Sequence, residues 1–375
     1  MSKISLSGPD ITQAEINAVY QVMQNGRLSL GPELEAFEKS MASYVGTKEA
    51  VAVSSGTAGL HCIIKALDIR EGDEVITSPF SFIASANSIL FERALPVFVD
   101  IDPETYSMNP DLIEAKITSK TKAILAVHLI GVSCQMDKIQ AIAKKHNLMI
   151  IEDACEAIGG QWKGRMLGSI GRAGVFAFYP NKQMTTGEGG IIVTNDTELA
   201  RTCRSLRNQG RSAHDGYVFE RLGYNYRMSD IQAVLGRIQL SRLPEMLLKR
   251  RQVAEWYQKE LKDFSEIILP PGLGDSNTSW FIFLIRLADR FDRASRDQLR
   301  KDLFTEGIET GAYFPTIHLQ QFYRDQFGYK PGDFPITEFC SDRTLALPFY
   351  NQLTKEDVHK ISKTLLHLLA LVSVA

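Results

Sequence analysis

Three short stretches of the chain carry residues whose types and spacing could do chemistry. Lys182 stands between an aromatic-proline turn, Phe178-Tyr179-Pro180-Asn181, and a loop of hydroxyls and glycines, Gln183-Met184-Thr185-Thr186-Gly187-Glu188-Gly189-Gly190. Prolines and glycines at this density hold a backbone in turns. A lysine kept there, with apolar runs such as Ile191-Ile192-Val193 beside it, is partly desolvated, which favours the neutral amine that a Schiff base requires. In Ile150-Ile151-Glu152-Asp153-Ala154-Cys155-Glu156, acids end an apolar run, where they are costly unless paired or hydrogen-bonded. Asp153 and Glu156 can face one ligand from a single helical turn. In Ser54-Ser55-Gly56-Thr57-Ala58-Gly59, small residues open a helix, so backbone N–H groups can approach an anion at its positive end. That loop fits neither a Walker pattern nor GxGxxG, so nucleotide binding is not the inference. Each stretch alone also has an ordinary reading: an exposed loop lysine, a helix-capping aspartate, a strand-to-helix turn.

Taken together, the three supply what pyridoxal phosphate needs: an amine for its aldehyde, an anion for its protonated ring nitrogen and a cradle for its phosphate. An aromatic for the ring face is available in Phe80 or Phe82, although either fits an ordinary core equally well.

The elements that must position these groups alternate in type. Strands are expected at Ala50–Val53, Glu74–Thr77, Pro96–Val99, Ala123–Val127 and Met149–Ile151, with helices at Ala58–Leu67, Ile83–Phe91, Pro110–Ala115 and Met136–His146. That alternation implies an α/β fold, a mostly parallel sheet covered on both faces, with functional groups at the carboxyl ends of its strands. Two helices, Gln13–Asn25 and Pro32–Tyr44, precede it. Glu198–Asn208 reads as a helix and Gly210–Tyr226 as a surface loop. Ser229-Asp230 caps a further helix, and Pro244 opens another through Leu261. A strand at Phe281–Leu287 and helices at Ser295–Glu306 and Lys355–Leu369 complete a smaller C-terminal α+β unit, giving domains of 1–245 and 246–375.

The bulk numbers exclude several classes. Lys+Arg 42 against Asp+Glu 44 gives a net charge of −2, no signature of nucleic-acid or anionic-membrane binding. No apolar run reaches a membrane span, and the N-terminus lacks the apolar core of a secretory signal. The five scattered cysteines have no CxxC spacing, so neither a disulfide framework nor a metal site is expected, and a reducing cytoplasm fits best.

The ordered segments make the resemblance specific. Gly31-Pro32-Glu33-Leu34-Glu35, Ser55-Gly56-Thr57-Ala58, Gly72-Asp73-Glu74-Val75-Ile76, Glu152-Asp153-Ala154, Lys182 with Thr185–Gly190, Gly223-Tyr224-Asn225-Tyr226-Arg227, Phe314–Leu319 and Leu345–Tyr350 span nearly the whole chain. In them it resembles the pyridoxal-phosphate-dependent nucleotide-sugar aminotransferases of the DegT type, within the fold-type-I aminotransferases. The resemblance implies that Lys182 forms the Schiff base, an internal aldimine, and that Asp153 partners the pyridine nitrogen. Glu156 would then lie near the ring or its 3-hydroxyl. Gly56, Thr57 and Ala58 would cradle the phosphate, Phe82 would stack on the ring, and Asn225 would reach the phosphate of a neighbouring subunit in a homodimer. Glu188, Arg227 and His318 would lie near the sugar.

The implied reaction is ping-pong transfer of an amino group from glutamate to a nucleotide-linked keto-sugar. Relatives that dehydrate sugars carry histidine where this chain has Lys182. Thr185–Gly190 resembles the enzymes of 4-keto-6-deoxyhexoses more than those of 3-keto sugars. A 3-keto sugar or keto-inositol acceptor, and a non-catalytic regulatory protein on the same fold, are the alternatives. One departure stands out: many relatives place a phosphate-binding serine five residues before the lysine, where this chain has Ala177.

Overall fold

Period-two alternation along the short apolar runs divides their side chains between the two faces of a central sheet. The computed structural model describes residues 3–212, 217–272 and 277–372. Among these, strands β1 (Glu49–Val53), β2 (Glu74–Thr77), β3 (Leu95–Phe98), β4 (Thr121–Val127), β5 (Met149–Asp153), β8 (Ala173–Ala177) and β9 (Gly190–Thr194) form a seven-stranded sheet ordered β1-β9-β8-β5-β4-β2-β3. Two-residue strands β6 (Gln161–Trp162) and β7 (Arg165–Met166) pair separately as a hairpin. The β2–β3, β2–β4, β4–β5 and β5–β8 pairs are parallel; β9 alone runs against its neighbours β8 and β1. Val51, Val53, Leu125, Ile151, Val175 and Ile192 enter one core. Their neighbours Ala50, Ala52, Ile124, Ile150, Phe176 and Ile191 enter the other. Sheets buried on both faces are built this way.

Helices α1 (Gln13–Asn25), α2 (Pro32–Val45), α3 (Gly56–Ala66), α4 (Ala84–Leu90), α5 (Met136–His146) and α6 (Thr197–Arg207) match the expected segments to within two residues at either end. At α1, Thr12 and Glu15 form a capping box, satisfying N–H groups that the helix leaves unpaired. Pro96 sits in β3, an edge strand of the sheet, where the N–H it lacks is not needed by a second neighbour.

Two expectations are corrected. Pro110–Ala115 is not an α-helix but two single 3₁₀ turns, Pro110–Leu112 and Glu114–Lys116. Pro244 does not open a helix: it lies inside the continuous α7 (Asp230–Leu261). An internal proline costs about 3 kcal/mol. Burial of Leu240, Leu243 and Met246 around it, at roughly 1.5–3 kcal/mol for a fully buried side chain, outweighs that cost. The boundary expected at 245/246 falls inside this helix.

Beyond it, a three-stranded sheet, β10 (Ile267–Ile268), β11 (Phe283–Leu287) and β12 (Thr344–Leu347), packs with α8 (Arg293–Thr305) and α11 (Lys355–Val372). Its core runs from Val253 to Leu369 and takes in Ile4 from the N-terminus. Helices α9 (Gln321–Phe327) and α10 (Pro335–Arg343) lie between β11 and β12 in the chain. Of the loop expected over Gly210–Tyr226, residues 213–216 lie outside the described residues; Arg211 and Phe219 are bridged antiparallel within it.

Candidate active site

The carboxyl ends of β1, β2, β4, β5 and β8 open on one side of the sheet, and a cavity of about 470 Å³ lies there. That size suits a small cofactor with part of a substrate.

Lys182 reaches the cavity from a folded turn. Its N–H donates to the Tyr179 carbonyl at 2.9 Å, Phe178 N–H to the Gly189 carbonyl at 2.9 Å, and Thr186 N–H to the Phe178 carbonyl at 3.0 Å. Gly187 (φ +76°) and Gly189 (φ +159°) take backbone conformations that a side chain would oppose. The Lys182 Nζ lies 3.4 Å from Glu156 Oε1 and 3.9 Å from the centroid of the Phe281 ring. Arg250, itself buried, donates to the Lys182 carbonyl at 3.1 Å and so ties α7 to this turn.

The acids at the end of β5 and just beyond it are all satisfied. Asp153 faces the cavity; its Oδ2 accepts from Ser85 Oγ at 2.7 Å and its Oδ1 from the Cys155 N–H at 3.2 Å. Burial pushes the Glu156 carboxyl above its usual range, opposed first by the Lys182 charge and then by the Ile130 N–H, which donates to Oε2 at 2.9 Å. Glu152 turns the other way. It accepts from the backbone N–H groups of Gly168, Ile170 and Gly171 at 2.8, 2.6 and 2.6 Å, and stands 2.9 Å from His128 Nε2. The structure gives the sequence-level cost of these buried acids its answer: every carboxylate is hydrogen-bonded.

The anion cradle forms at the start of α3. Ser55 Oγ caps the helix by accepting from the Ala58 N–H at 3.1 Å, while Gly56 and Thr57 lead the first turn, whose N–H groups have no partner within the helix. A Cβ on Gly56 would stand 2.9 Å from Cys155 Sγ, so the backbone approaches the cavity wall as only glycine allows. An amine beside a buried carboxylate, a second carboxylate across the cavity and a free helix start together match what pyridoxal phosphate requires. Lys182, Asp153 and the Gly56–Thr57 turn are the residues that would hold it.

Gly56, Thr57, Phe82, Asp153, Glu156, Lys182 and Glu188 therefore come together, as the sequence led one to expect. Phe82 is 61% exposed and forms part of the wall; Phe80 is a core residue against Tyr106 and Phe314. Four expected residues stand apart from the cavity. Ala58 is buried behind the helix start, and Asn225 is exposed. Arg227 donates to Asn208 Oδ1 at 3.0 Å. His318 is fully buried, with Nε2 3.0 Å from Glu338 Oε1. Sequence reasoning missed Ser81, Ser85, Asn181, Phe281 and Tyr313, all of which line the cavity. Phe281 and Tyr313 arrive from a distant part of the chain, and no local pattern marks them.

Among the described residues, no cluster of His, Cys, Asp and Glu is placed to hold a metal ion, and no helix is long and apolar enough to cross a membrane.

Comparison with known proteins agrees with this geometry. The model of the DegT/DnrJ/EryC1/StrS aminotransferase family matches residues 9–366. The chain is 40% identical over 364 residues to the spore coat polysaccharide biosynthesis protein SpsC of Bacillus subtilis, covering 94% of each. It is 39% identical over 364 residues to the GDP-perosamine synthase of Caulobacter vibrioides, covering 96% of this chain and 97% of that one. The solved structure of Helicobacter pylori PseC, an aminotransferase involved in the biosynthesis of pseudoaminic acid, superposes with a TM-score of 0.93 at 27% identity, covering 98% of this chain and 99% of that one. Matched along nearly its whole length, and with the amine, acid and cradle in one cavity, the chain belongs to the DegT/DnrJ/EryC1/StrS family of pyridoxal-phosphate-dependent sugar aminotransferases.

Proposed function

We propose that this enzyme transfers the amino group of glutamate to a nucleotide-linked keto-sugar, a 4-keto-6-deoxyhexose, in a ping-pong reaction. The observation that carries the proposal is the Lys182 amine, 3.4 Å from Glu156 in a cavity that Asp153 also lines and Glu188 borders. The GDP-perosamine synthase among the relatives supports a nucleotide-linked acceptor, and the Thr185–Gly190 loop supports amination at C4.

When bound, pyridoxal phosphate supplies the aldehyde that takes up the amino group and the ring that draws electrons from the α-carbon. The chain's own residues do the rest. Lys182, as a free amine, removes the proton from the donor α-carbon and later returns one in the opposite sense to the acceptor. Asp153, as a carboxylate, keeps a proton on the ring nitrogen. Glu156 would hold Lys182 Nζ, 3.4 Å from its Oε1, and Phe281, Tyr313 and Phe314 line the cavity beside it. Glutamate leaves as 2-oxoglutarate before the keto-sugar enters.

We propose also that Asn225 acts across a homodimer interface, on the site of a second copy. Its exposure beside two anchored tyrosines supports this: Tyr224 donates to Glu92 at 2.9 Å, and the Tyr226 hydroxyl lies 3.0 Å from His61 Nδ1. Five free cysteines are consistent with work in the cytoplasm.

The test is to present the purified holoenzyme with glutamate and, in turn, nucleotide-linked 4-keto and 3-keto sugars and a keto-inositol, following 2-oxoglutarate. Turnover greatest with a 4-keto-6-deoxyhexose is expected, and none in Lys182→Ala. Turnover confined to another acceptor would overturn the substrate assignment; absence of any turnover would overturn the reaction.

A further inference from the structure

Ser81 and Ser85 form a short chain of hydroxyls that ends on Asp153. A carboxylate has no proton to give, so Ser85 Oγ donates to Asp153 Oδ2 at 2.7 Å. Its own oxygen then accepts from the Ser81 hydroxyl, 2.8 Å away. Both serines are buried, with 3% and 1% of their surface exposed, yet both line the cavity. They are not spent on the helix beside them, because α4 has no side-chain cap at its N-terminus. Between them in the chain lies Phe82, whose ring forms part of the cavity wall. One hydrogen-bonded chain thus joins the acid across the cavity to the loop that presents the aromatic.

We infer that the Ser81–Ser85 chain is a positioning device, which orients the Asp153 carboxylate toward the cofactor's ring nitrogen. The inference rests on the proposed assignment of Asp153 to that nitrogen. Neither serine touches a reacting atom. With Ser85 on Oδ2 and the Cys155 N–H on Oδ1, both carboxylate oxygens are gripped and the group cannot rotate away from its partner. None of the other titratable side chains lining the cavity, Cys155, Tyr179, Glu156, Lys182, Glu188 and Tyr313, is hydrogen-bonded to either serine.

The experiment measures dissociation constants by fluorescence for pyridoxamine phosphate, which binds without a covalent bond to Lys182, and for its 1-deaza analogue, in which carbon replaces the ring nitrogen. The native protein is expected to hold pyridoxamine phosphate the more tightly. Ser85→Ala should weaken pyridoxamine phosphate about tenfold, as loss of one hydrogen bond to a charged group does. It should leave the 1-deaza analogue within about twofold. Ser81→Ala should act in the same direction with a smaller change, and Ser85→Thr should restore native binding. Equal weakening of both ligands by Ser85→Ala would mean packing alone and overturn the inference. Native protein that binds both ligands equally would overturn the Asp153 assignment and the inference with it. Discrimination that survives intact in Ser85→Ala would overturn the inference while sparing the assignment. Melting temperatures accompany each variant, and Ser81→Ala carries the same comparison should Ser85→Ala fail to fold.

Discussion

Gly56 and Ala177 are in contact across the cradle: a Cβ built on Gly56 would stand 2.8 Å from the Ala177 methyl carbon. Ala177, where the family resemblance leads one to expect a phosphate-binding hydroxyl, lines the cavity beside Gly56, and here it is apolar. Ala177→Ser should add one hydrogen bond to the phosphate and tighten pyridoxal phosphate by up to about tenfold, roughly 1–1.5 kcal/mol. Equilibrium dialysis of the holoenzyme reads this directly; unchanged retention would show the backbone grip to be complete without the hydroxyl. Gly56→Ala should do the reverse, forcing either β8 or α3 to shift.

His318 should matter to folding more than to substrate. Its ring is fully buried, 3.0 Å from Glu338 and with its centroid 4.8 Å from that of Phe334. His318→Ala removes a packed ring and a hydrogen bond, at a cost of about 2–4 kcal/mol in denaturant unfolding. At a temperature where the variant is folded, KM for the keto-sugar should stay within a factor of two or so of native. A large rise in KM with undiminished stability would return His318 to the sugar site.

Acid should unlock the join between the N-terminal helix and α7. Burial alone would raise the Glu15 carboxyl, but hydrogen bonds from Thr12, Arg242 and Gln239 outweigh it and hold it down at about 2. A folded-state value below the ordinary 4.5 means that the group stabilises the fold above pH 4.5, and that this contribution is lost as pH falls toward 2. Glu15→Gln should therefore destabilise the protein at pH 7, by about 1–2 kcal/mol after allowing for solvent screening. The difference from native should shrink as the pH of the unfolding experiment approaches 2. A gap that stays constant with pH would mean that packing, not charge, carries the effect.

Glu92 should govern how firmly the Tyr224–Arg227 segment is held. One carboxylate oxygen lies 2.9 Å from His61 Nε2 and accepts from Tyr224 at 2.9 Å, while the other accepts from Lys65 at 2.6 Å. Burial opposes its ionisation, yet the bonds from Lys65, His61 and Tyr224 prevail and keep it below the usual carboxylate range. Glu92→Ala strands three donors, at about 1–3 kcal/mol for each that stays buried and unpaired. Amide exchange in residues 224–227 should speed up by an order of magnitude or more, while exchange in β5 stays native. Uniform acceleration across the chain would argue for global destabilisation instead.

Much of this molecule was legible before its coordinates. Where the pattern is strongly periodic, as at Gln13–Asn25 or Met136–His146, boundaries fell within a residue or two. Lys182, Asp153, Glu156 and the Gly56 turn each had an ordinary reading alone, and the ordered segments that resemble the family singled them out. Pro244 misled because local backbone preference was overruled by burial on both sides of it. Ser85 was invisible for another reason: a serine among serines carries no signal until its hydroxyl is seen to meet an acid 68 residues away. The same holds for Phe281 under the Lys182 amine. Contacts across the sheet are made by topology, and single-sequence periodicity does not encode them.

The adjacent acids Glu152 and Asp153 point to opposite faces of one strand, the first tying down the Gly168–Gly171 turn, the second lining the cavity. Strand geometry makes this pairing unforgiving, because slipping β5 by a single residue would exchange the two. An engineer lengthening or shortening the connection through α5 is therefore free to vary its surface, but not the phase in which the chain re-enters the sheet. Homologous recombination between relatives should succeed only at crossovers that preserve that phase, so the scaffold's modularity is limited by parity rather than by sequence likeness.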